Sequence, residues 1–277
     1  LAAALAATFA CIPIGHISGG ETTVGAFDES IRHSVTKMAW WHFTATVEYR
    51  ERVIQLGEHP NRVFITGALG VDCIVKSQLL TKEALSKVIQ FEFGPRNLLV
   101  TFHSVTLEKE SSGQQFQSLL EALDVLEDTR FIFTAPNADT EGRVIQMMIN
   151  DFVAKNKDRA KNFRSLGSLN YLSTLQFVDA VVGNSSSGFG EAPSLKIGTI
   201  NIGDRQLGRL KAESIIDCDS DKKSITQAIS KLYGQEFQDK LKTVRNPNGD
   251  GCATEKIMEI LKNYPIPKEL KKEFYDL

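Results

Sequence analysis

The stretch VVGNSSSGFGE at residues 181–191 decides the fold predicted for this chain. Its apolar start is typical of a buried strand, and its Gly/Ser-rich centre is typical of a loop that leads into a helix. Such a junction directs free backbone N–H groups and the positive end of a helix dipole to one point, where a phosphate can bind. The hydroxyls of Ser185, Ser186 and Ser187 can add hydrogen bonds. A Ser-rich helix cap is the alternative, because the stretch is neither a P-loop nor a G-x-G-x-x-G motif.

Strand and helix patterns alternate on both sides of this stretch. Short apolar strands are predicted at residues 12–17, 42–46, 63–66, 98–102, 130–134, 179–183 and 199–202. Helical periodicity falls between them, near residues 28–38, 81–91, 114–127, 140–155 and 170–178. Because short apolar strands separated by helices form parallel sheets that are covered on both faces, the pattern predicts an α/β fold.

The chain is predicted to contain two domains. The polar segment 76–95 is the candidate junction, and residues 96–262 hold enough elements for a complete doubly wound domain. Residues 1–75 hold too few strands for a sheet of their own, so they either extend the second domain or form part of an incomplete first one. Residues 263–277 are predicted to form a polar helix without a core face of its own.

Several polar side chains are expected near the Ser-rich loop, because ligands of doubly wound sheets bind at the carboxyl ends of strands. Glu191 can accept hydrogen bonds from ribose hydroxyls, or it is a solvated residue in the first turn of a helix. Arg205 can bind a diphosphate with its planar fork, or it pairs with Asp204 on the surface. His103 and Asn137 each close a strand, and each alone is an ordinary turn residue.

A second cluster lies at residues 16–42, where three histidines and three carboxylates occur beside a Gly-Gly turn. Its polar members are His16, Glu21, Asp28, Glu29, Arg32, His33 and His42. A lone histidine at such a position is usually a helix cap or a buried core residue, but this density favours acid–base chemistry by some of the group. The chain has no H-x-x-x-H spacing, so no metal site is predicted.

The composition argues against several other classes of protein. With a net charge of −2 and a pI near 6.3, nothing points to nucleic acid or an anionic membrane as a partner. The four cysteines are scattered, which favours reduced thiols in a cytoplasmic protein. The Ala-rich opening at residues 1–7 lacks a basic region and an initiator Met. It is therefore interpreted as a helix from inside a domain and not as a signal peptide.

A series of motifs in this chain resembles the UDP-N-acetylglucosamine 2-epimerase family. They are HISGGE at 16–21, DESIRH at 28–33, RVIQLGE at 52–58, GNSSSG at 183–188 and NIGDRQ at 201–206. The third and the last of these are similar to the hydrolysing branch of the family, which serves sialic-acid biosynthesis. The resemblance covers nearly the whole chain.

The resemblance implies a GT-B-like pair of Rossmann-type domains with parallel sheets, of which the first is incomplete here and is contacted by the C-terminal helix. It implies that UDP is bound by His103, Asn137, Asn184, Ser185, Ser186, Ser187, Glu191 and Arg205. It implies that the catalytic residues on the sugar side are His16, Glu21, Asp28 and His42. The expected partner is a UDP-sugar, no cofactor or metal is expected, and the protein is expected to be a homo-oligomer, either a dimer or a tetramer.

Two departures from the family pattern are visible. The non-hydrolysing branch has a Glu where Ser18 stands here, so Glu21 is taken as the substitute carboxylate. Family members also begin with roughly one hundred more residues, about the size of a small domain. That segment includes a Gly-Asp-Arg motif with an essential acid. The chain is therefore expected to lack it, and to be inactive when taken alone.

The reaction implied by the resemblance converts UDP-GlcNAc and water to N-acetylmannosamine and UDP through a glycal intermediate, in nonulosonic (sialic) acid biosynthesis. Glu21 and Asp28 are the expected acid–base pair at C2, and His16 or His42 shares the proton work. The alternatives are a UDP-2,4-diacetamido-trideoxyhexose substrate of the legionaminic-acid pathway, a catalytically inactive nucleotide-sugar binder, and a GT-B glycosyltransferase.

Overall fold

The computed structural model describes residues 1–24, 28–105, 112–137 and 141–277. Its contacts divide the chain into two compact units. The first unit combines Leu1–Lys76 with Pro247–Leu277, and the second consists of Ser77–Asn246. The first unit is therefore discontinuous in sequence.

Helices and strands alternate along most of the described chain, whose last three elements are helices. The helices are α1 (Ala2–Phe9), α2 (Asp28–Met38), α3 (Val47–Gln55), α4 (Leu69–Lys76), α5 (Lys82–Ile89), α6 (Ser112–Asp124), α7 (Gly142–Lys155), α8 (Gly167–Leu175), α9 (Ser187–Gly190), α10 (Lys222–Leu232), α11 (Gln235–Thr243) and α12 (Ala253–Asn263). The strands are β1 (Gly15–Ile17), β2 (Trp41–Thr44), β3 (Val63–Ile65), β4 (Arg96–Thr101), β5 (Thr129–Thr134), β6 (Ala160–Phe163), β7 (Ala180–Gly183), β8 (Gly198–Ile202) and β9 (Ile215–Cys218). Among the described helices, we find none with both the length and the apolar character that a bilayer crossing requires.

The first unit contains a three-stranded parallel sheet in the order β1-β2-β3. Side chains alternate between its two faces along β2. Trp41 and Phe43 point to one face and pack against Ile257 of α12. His42, which lies between them in sequence, points to the opposite face beside His16 of β1, its partner in the strand register.

Helix α12 belongs to the first unit because an acidic side chain of α4 binds its first turn. The Asp72 carboxylate accepts hydrogen bonds from the backbone N–H groups of Ala253 at 2.8 Å and Thr254 at 2.7 Å. These are two of the N–H groups that a helix cannot satisfy internally. The hydrogen bonds from Thr254 and Ala253 outweigh burial and hold the pKa of Asp72 well below its usual range, so the carboxylate stays charged.

The second unit contains a six-stranded parallel sheet in the order β6-β5-β4-β7-β8-β9. The chain starts at the centre with β4, runs outward through β5 and β6, and then returns to the other side of β4 with β7. The connections that follow β4 and β7 therefore leave the sheet in opposite directions, and this reversal opens a crevice at the carboxyl ends of the two strands.

A large buried apolar cluster of the second unit covers one face of this sheet. Phe131 and Phe133 of β5 and Phe152 of α7 are buried and in ring contact, with centroids 5.5 to 6.3 Å apart. On the other side of β4, Ile200 of β8 and Leu232 of α10 are fully buried in the same apolar cluster. This packing fixes the strands whose ends carry the polar side chains.

The predicted α/β class with parallel sheets is confirmed. The strands predicted at 98–102, 130–134, 179–183 and 199–202 correspond to β4, β5, β7 and β8. The sequence did not indicate β6 or β9, the two edge strands. Edge strands are buried less completely, and β6 has only one fully buried residue, so neither shows the continuous apolar run of a central strand.

The predicted domain organisation differs from the observed units in four respects. Residues 1–75, which were expected to hold too few strands for a sheet of their own, contain the sheet β1-β2-β3. The predicted junction 76–95 contains helix α5, and the second unit ends at Asn246 rather than near residue 262. The predicted helix at 263–277 was wrong, because α12 ends at Asn263 and no helix follows it. Pro265 and Pro267 explain this end, since proline lacks the N–H donor and disfavours helical backbone in the preceding residue. The segment 264–277, called the tail segment below, nevertheless contacts the Leu1–Lys76 part of the first unit.

Candidate functional site

The Ser-rich loop begins at a glycine that no other residue can replace without strain. Gly183 ends β7 with φ at +131°, and a Cβ at this position would overlap the carbonyl oxygen of Thr101 on the neighbouring strand β4. The loop then leads into a helix, as predicted, but this helix, α9, is only a single turn. A dipole of one turn is weaker than that of a full helix, so individual N–H groups and side chains matter more here.

Asn184 connects the loop to the end of β4. Its side-chain oxygen accepts a hydrogen bond from the His103 N–H at 2.7 Å, and its side-chain NH₂ donates to the His103 carbonyl at 2.8 Å. Its own carbonyl accepts hydrogen bonds from Arg205 at 3.1 Å and from Gln206 at 2.8 Å. Asn184 is fully buried, so it positions the site and is not exposed for the direct ligand contact that was predicted.

The three serines of the loop differ in their surroundings. Ser185 is half-buried and Ser186 is exposed, and none of the described backbone-to-backbone hydrogen bonds uses their N–H groups as donors. The Ser187 hydroxyl instead shares a hydrogen bond with the Tyr171 hydroxyl. Burial raises the pKa of Tyr171 to about 12, so this phenol stays protonated. Ser185 and Ser186 are therefore the serines best placed to donate to an anion.

His103 is a neutral histidine whose tautomer can be assigned from its neighbour. Burial, assisted by the positive charge of Arg205, lowers the pKa of His103 to about 4. The backbone N–H of Asn137 donates to its Nδ1 atom at 3.1 Å. Because Nδ1 accepts, the ring proton is assigned to Nε2, which becomes a hydrogen-bond donor at the edge of the sheet.

Arg205 and Glu191 complete this group. The Arg205 side chain is buried and its guanidinium lies at the Asn184 carbonyl, while Asp204 is exposed. Glu191 is half-buried directly after α9. The structure thus gathers the predicted nucleotide-site residues around the carboxyl ends of β4, β5, β7 and β8. The predicted loop segment that follows Asn137 includes Ala138 and Asp139, which lie outside the described residues.

The second cluster lies in the first unit and is centred on His16 of β1. The Thr36 hydroxyl donates to the Arg32 carbonyl at 3.1 Å and lies 3.1 Å from His16 Nδ1. With the hydroxyl proton used in this way, Nδ1 donates to Thr36 and Nε2 keeps its lone pair. Burial, with help from the nearby His42, lowers the pKa of His16 to about 4, so the ring is neutral at pH 7.

Glu29, Arg32 and His33 form an ionic group on α2. The Glu29 carboxylate accepts hydrogen bonds from Arg32 at 2.9 Å and from the Thr23 N–H at 2.7 Å, and it lies 3.0 Å from His33 Nε2. Burial would raise the pKa of Glu29, but the hydrogen bonds from Thr23 and His33 lower it overall. Their spacing of three and four residues on one helix is a local signal for this group. All three were named from the sequence as members of the polar cluster, but none was predicted to be catalytic.

The two predicted acid–base carboxylates are placed differently from each other. Asp28 is exposed at the first residue of α2, directly after residues 25–27, which lie outside the described part of the chain. Glu21 is half-buried, and its backbone carbonyl accepts a hydrogen bond from Arg32 at 3.1 Å. The turn before it depends on Gly20, which has φ at +80° and leaves no space for a Cβ beside the Tyr49 carbonyl.

His42 occupies a different environment from the one expected of a proton-transfer residue. It is fully buried, and its Nε2 lies 3.1 Å from the carboxylate of Glu58, which is also fully buried. The structure therefore does not support direct contact between His42 and a substrate. Glu58 closes the RVIQLGE motif, but no local pattern in the sequence indicates which distant residues neutralise its charge.

Among the described residues, no group of three or more His, Cys, Asp or Glu side chains is arranged to hold a metal ion. The arrangement offers two kinds of chemistry. The second unit presents N–H donors and an arginine that suit a phosphate group. The first unit presents a neutral histidine and several carboxylates that suit proton transfer.

Comparison with known proteins supports the relationship suggested by the motifs. A protein-family model described as UDP-N-acetylglucosamine 2-epimerase matches residues 1–262. The chain is 40% identical over 267 residues to the GDP/UDP-N,N'-diacetylbacillosamine 2-epimerase (hydrolyzing) of Campylobacter jejuni, covering 96% of this chain and 69% of that protein. It is 39% identical over 279 residues to the polysialic acid biosynthesis protein P7 of Escherichia coli, covering 99% and 70%.

A similar fold is found among solved structures. The crystal structure of UDP-GlcNAc 2-epimerase from Neisseria meningitidis bound to UDP-GlcNAc matches with a TM-score of 0.78 at 21% identity, covering 95% of this chain and 73% of that one. This match supports the predicted GT-B-like fold class. The expectations of an incomplete first domain and of roughly one hundred absent residues are not confirmed by the comparisons. The family match over residues 1–262 shows that the chain belongs to the UDP-N-acetylglucosamine 2-epimerase family.

Proposed function

We propose that the protein is a hydrolysing UDP-N-acetylhexosamine 2-epimerase that converts UDP-GlcNAc and water to N-acetylmannosamine and UDP. One observation carries the proposal. A neutral His103, a buried Arg205 and the Ser-rich loop lie together at the reversal point of the second sheet, where doubly wound folds bind nucleotides.

The second unit is proposed to stabilise the leaving UDP. When the bond between C1 and the diphosphate breaks, negative charge grows on the diphosphate. The N–H groups of Ser185 and Ser186, the Arg205 guanidinium and the His103 Nε2 proton can donate to it. Donors that are already in place lower the barrier without reorganisation, because Asn184 holds both His103 and Arg205.

The first unit is proposed to exchange the proton at C2. Inversion there needs one group to remove a proton and another to deliver one to the opposite face. Glu21 and Asp28 remain the proposed pair, and the neutral His16, with a free lone pair on Nε2, is proposed to share the proton work. Glu29 and Arg32 are added as the charged group that holds the start of α2 in place.

A second candidate substrate is a UDP-2,4-diacetamido-trideoxyhexose. The Campylobacter relative, at 40% identity, is named for diacetylbacillosamine, and the Escherichia coli relative, at 39%, is named for polysialic acid biosynthesis. The two identities are too close to separate the substrates. Both candidates share the UDP group and the chemistry at C2, so the residues proposed above serve either one. The homo-oligomeric state stays a prediction.

Two measurements on the same protein sample test the proposal. NMR in D₂O follows UDP-GlcNAc and UDP-diacetylbacillosamine separately, and calorimetry measures the binding of UDP. Free N-acetylmannosamine with deuterium at C2 supports the first substrate, and an equivalent product from the second sugar alone supports the second. UDP binding without turnover of either sugar indicates an inactive nucleotide-sugar binder, and transfer of the intact sugar to an acceptor indicates a glycosyltransferase.

A further inference from the structure

The tail segment contains a lysine that is bound deeply within the first unit. Lys272 Nζ donates to the carbonyl oxygens of Lys37 and Ala39, both at 2.8 Å. It also contacts both carboxylate oxygens of Glu58, at 2.9 and 2.8 Å. Only 17% of the Lys272 side chain is exposed, which is unusual for a lysine.

The tail segment is held at this place by its backbone and its aromatic residues. The Tyr275 N–H donates to the Gly57 carbonyl at 3.0 Å. Gly57 has φ at +83°, and a Cβ there would overlap the ring of Phe274. The Tyr275 ring packs on His59 with centroids 5.1 Å apart. Lys272 is therefore placed opposite Glu58 by contacts on the residues that immediately flank that carboxylate.

Glu58 is a fully buried carboxylate that the proposed reaction does not use. Besides Lys272, it accepts a hydrogen bond from Lys37 at 2.7 Å and lies 3.1 Å from His42 Nε2. Arg62 is 3.9 Å away. Burial would raise the pKa of the Glu58 carboxyl, but these hydrogen bonds lower it to about 2.

Two of the groups bound to Glu58 are direct neighbours of the His16 surroundings. His42 is the register partner of His16 on the adjacent strand, so the two rings lie side by side on one face of the sheet. Lys37 follows Thr36, whose hydroxyl lies 3.1 Å from His16 Nδ1. Strand β2, which pairs with the strand of His16, and helix α2 therefore both contact the Glu58 carboxylate.

We propose that Glu58, neutralised by Lys272 of the tail segment, is a positioning residue that fixes the orientation of His16 through His42 and α2. The charged and titratable groups that face Glu58 are Lys37 of α2, His42 of β2, Arg62 of the turn before β3, and Lys272 of the tail segment. Without the Lys272 charge, Glu58 keeps Lys37, Arg62 and His42 as partners. Of these only His42 can gain a further proton, and a proton on His42 lies next to His16. This proposal rests on the proposed function in one respect, namely that His16 takes part in proton transfer at C2.

The test compares two neighbouring lysines of the tail segment. Lys272→Met removes the buried charge. Lys271→Met is the matched control. Lys271 is 90% exposed, and its ion pair is with Glu269, which is also exposed, at 3.3 Å. Lys272→Arg keeps the positive charge and tests whether that charge restores the wild-type behaviour. Lys272→Gln keeps a hydrogen-bond donor and replaces Lys272→Met if the Met variant does not fold. Circular dichroism establishes folding for each.

The first readout needs no turnover. Side-chain ¹⁵N NMR follows the imidazole nitrogens of His16 and His42 from pH 4 to pH 8 in each variant. We expect the pKa of His42 to rise and the His16 resonances to move in Lys272→Met, with wild-type spectra in Lys271→Met and nearly wild-type spectra in Lys272→Arg. Unchanged His16 resonances in a folded Lys272→Met or Lys272→Gln protein would overturn the proposal.

The second readout separates positioning from general loss of structure. We expect kcat and deuterium incorporation at C2 to fall at least about tenfold in Lys272→Met, with KM and the Kd for UDP within about twofold of wild type. Activity equal to that of Lys271→Met, or a fall no larger than the loss of folded protein, would overturn the proposal. If wild type binds UDP but turns over neither sugar, the proposed function fails, and the NMR readout still decides the role of Glu58.

Discussion

The Ser-rich loop and the His16 cluster place polar groups by different means. At the loop, the position of each group follows from the backbone, because the reversal of strand order and the φ of Gly183 determine where the N–H groups point. Around His16, the positions follow from charged side chains that neutralise one another, above all Glu29 with Arg32 and Glu58 with Lys272. A site whose geometry comes from the backbone leaves a local signature in the sequence. Ion pairs between residues far apart in the sequence leave none.

The largest effect is expected where a buried charge loses its partner. In Glu58→Ala, the Lys272 and Lys37 ammonium groups and His42 lose their common acceptor. We expect the free energy of unfolding to fall by about 3–5 kcal/mol, measured by chemical denaturation. Glu92→Ala is the control, because Glu92 is 88% exposed and should change stability by less than about 0.5 kcal/mol. Equal losses in the two variants would show that the buried charges around Glu58 stabilise the fold no more than an exposed ion pair does.

Gly183→Ala tests the backbone side of the comparison. The new methyl group would overlap the Thr101 carbonyl in a backbone conformation that alanine rarely adopts. We expect a loss of about 3 kcal/mol in stability together with weaker UDP binding. Gly190→Ala, at the last residue of α9, is the matched control, since a Cβ there meets nothing within 4 Å. If both variants bind UDP alike, the geometry of the loop is not what builds the site.

Arg205→Lys is expected to have a smaller effect that is confined to binding. Lysine keeps the charge but loses the planar fork that holds the Asn184 carbonyl and suits a diphosphate. We expect the Kd for UDP to rise about tenfold, which corresponds to about 1.4 kcal/mol. Arg159→Lys, at an arginine of the same unit that binds the carbonyls of Leu126 and Asp124, should leave the Kd unchanged. Calorimetry measures both.

The smallest effect near neutral pH is a dependence of stability on pH that the two regions share. The folded-state pKa values of His16 and His103 are about 4, against 6.5 for a free imidazole. Between these values the unfolded chain binds more protons than the folded protein, so stability falls as the pH drops from 6.5 to 4. His16→Asn and His103→Asn should each make this slope shallower in denaturation experiments at several pH values. An unchanged slope in either variant would show that its histidine is not held neutral.

The same contrast explains how much of the molecule was predictable. The central strands β4, β5, β7 and β8 and the loop after β7 could be predicted, because each has a local apolar run or a Gly/Ser signature. The edge strands β6 and β9 lack that run. The length of α9 depends on Pro193 and the turn at Ala192–Leu195, which the pattern of the loop does not include.

For the candidate site, the residue types were easier to predict than their roles. Asn184 and His42 were conspicuous as polar residues in the sequence, but both are fully buried, and burial depends on the whole fold. The pairing of Glu58 with Lys272 joins residues 214 positions apart, and no local pattern specifies it. His103, Asn137 and Arg205 could be expected near one another only because strand ends of a parallel sheet share an edge.

The capping of α12 by Asp72 has a consequence for the order in which the chain acquires structure. The bonded residues lie 181 positions apart, and the entire second unit is encoded between them. A ribosome therefore releases all strands of the six-stranded sheet before the residues that complete the first unit have been made. Until residues 253–263 have been synthesised, Asp72 of α4 has no helix to cap. Contacts between residues so far apart in sequence form slowly during folding.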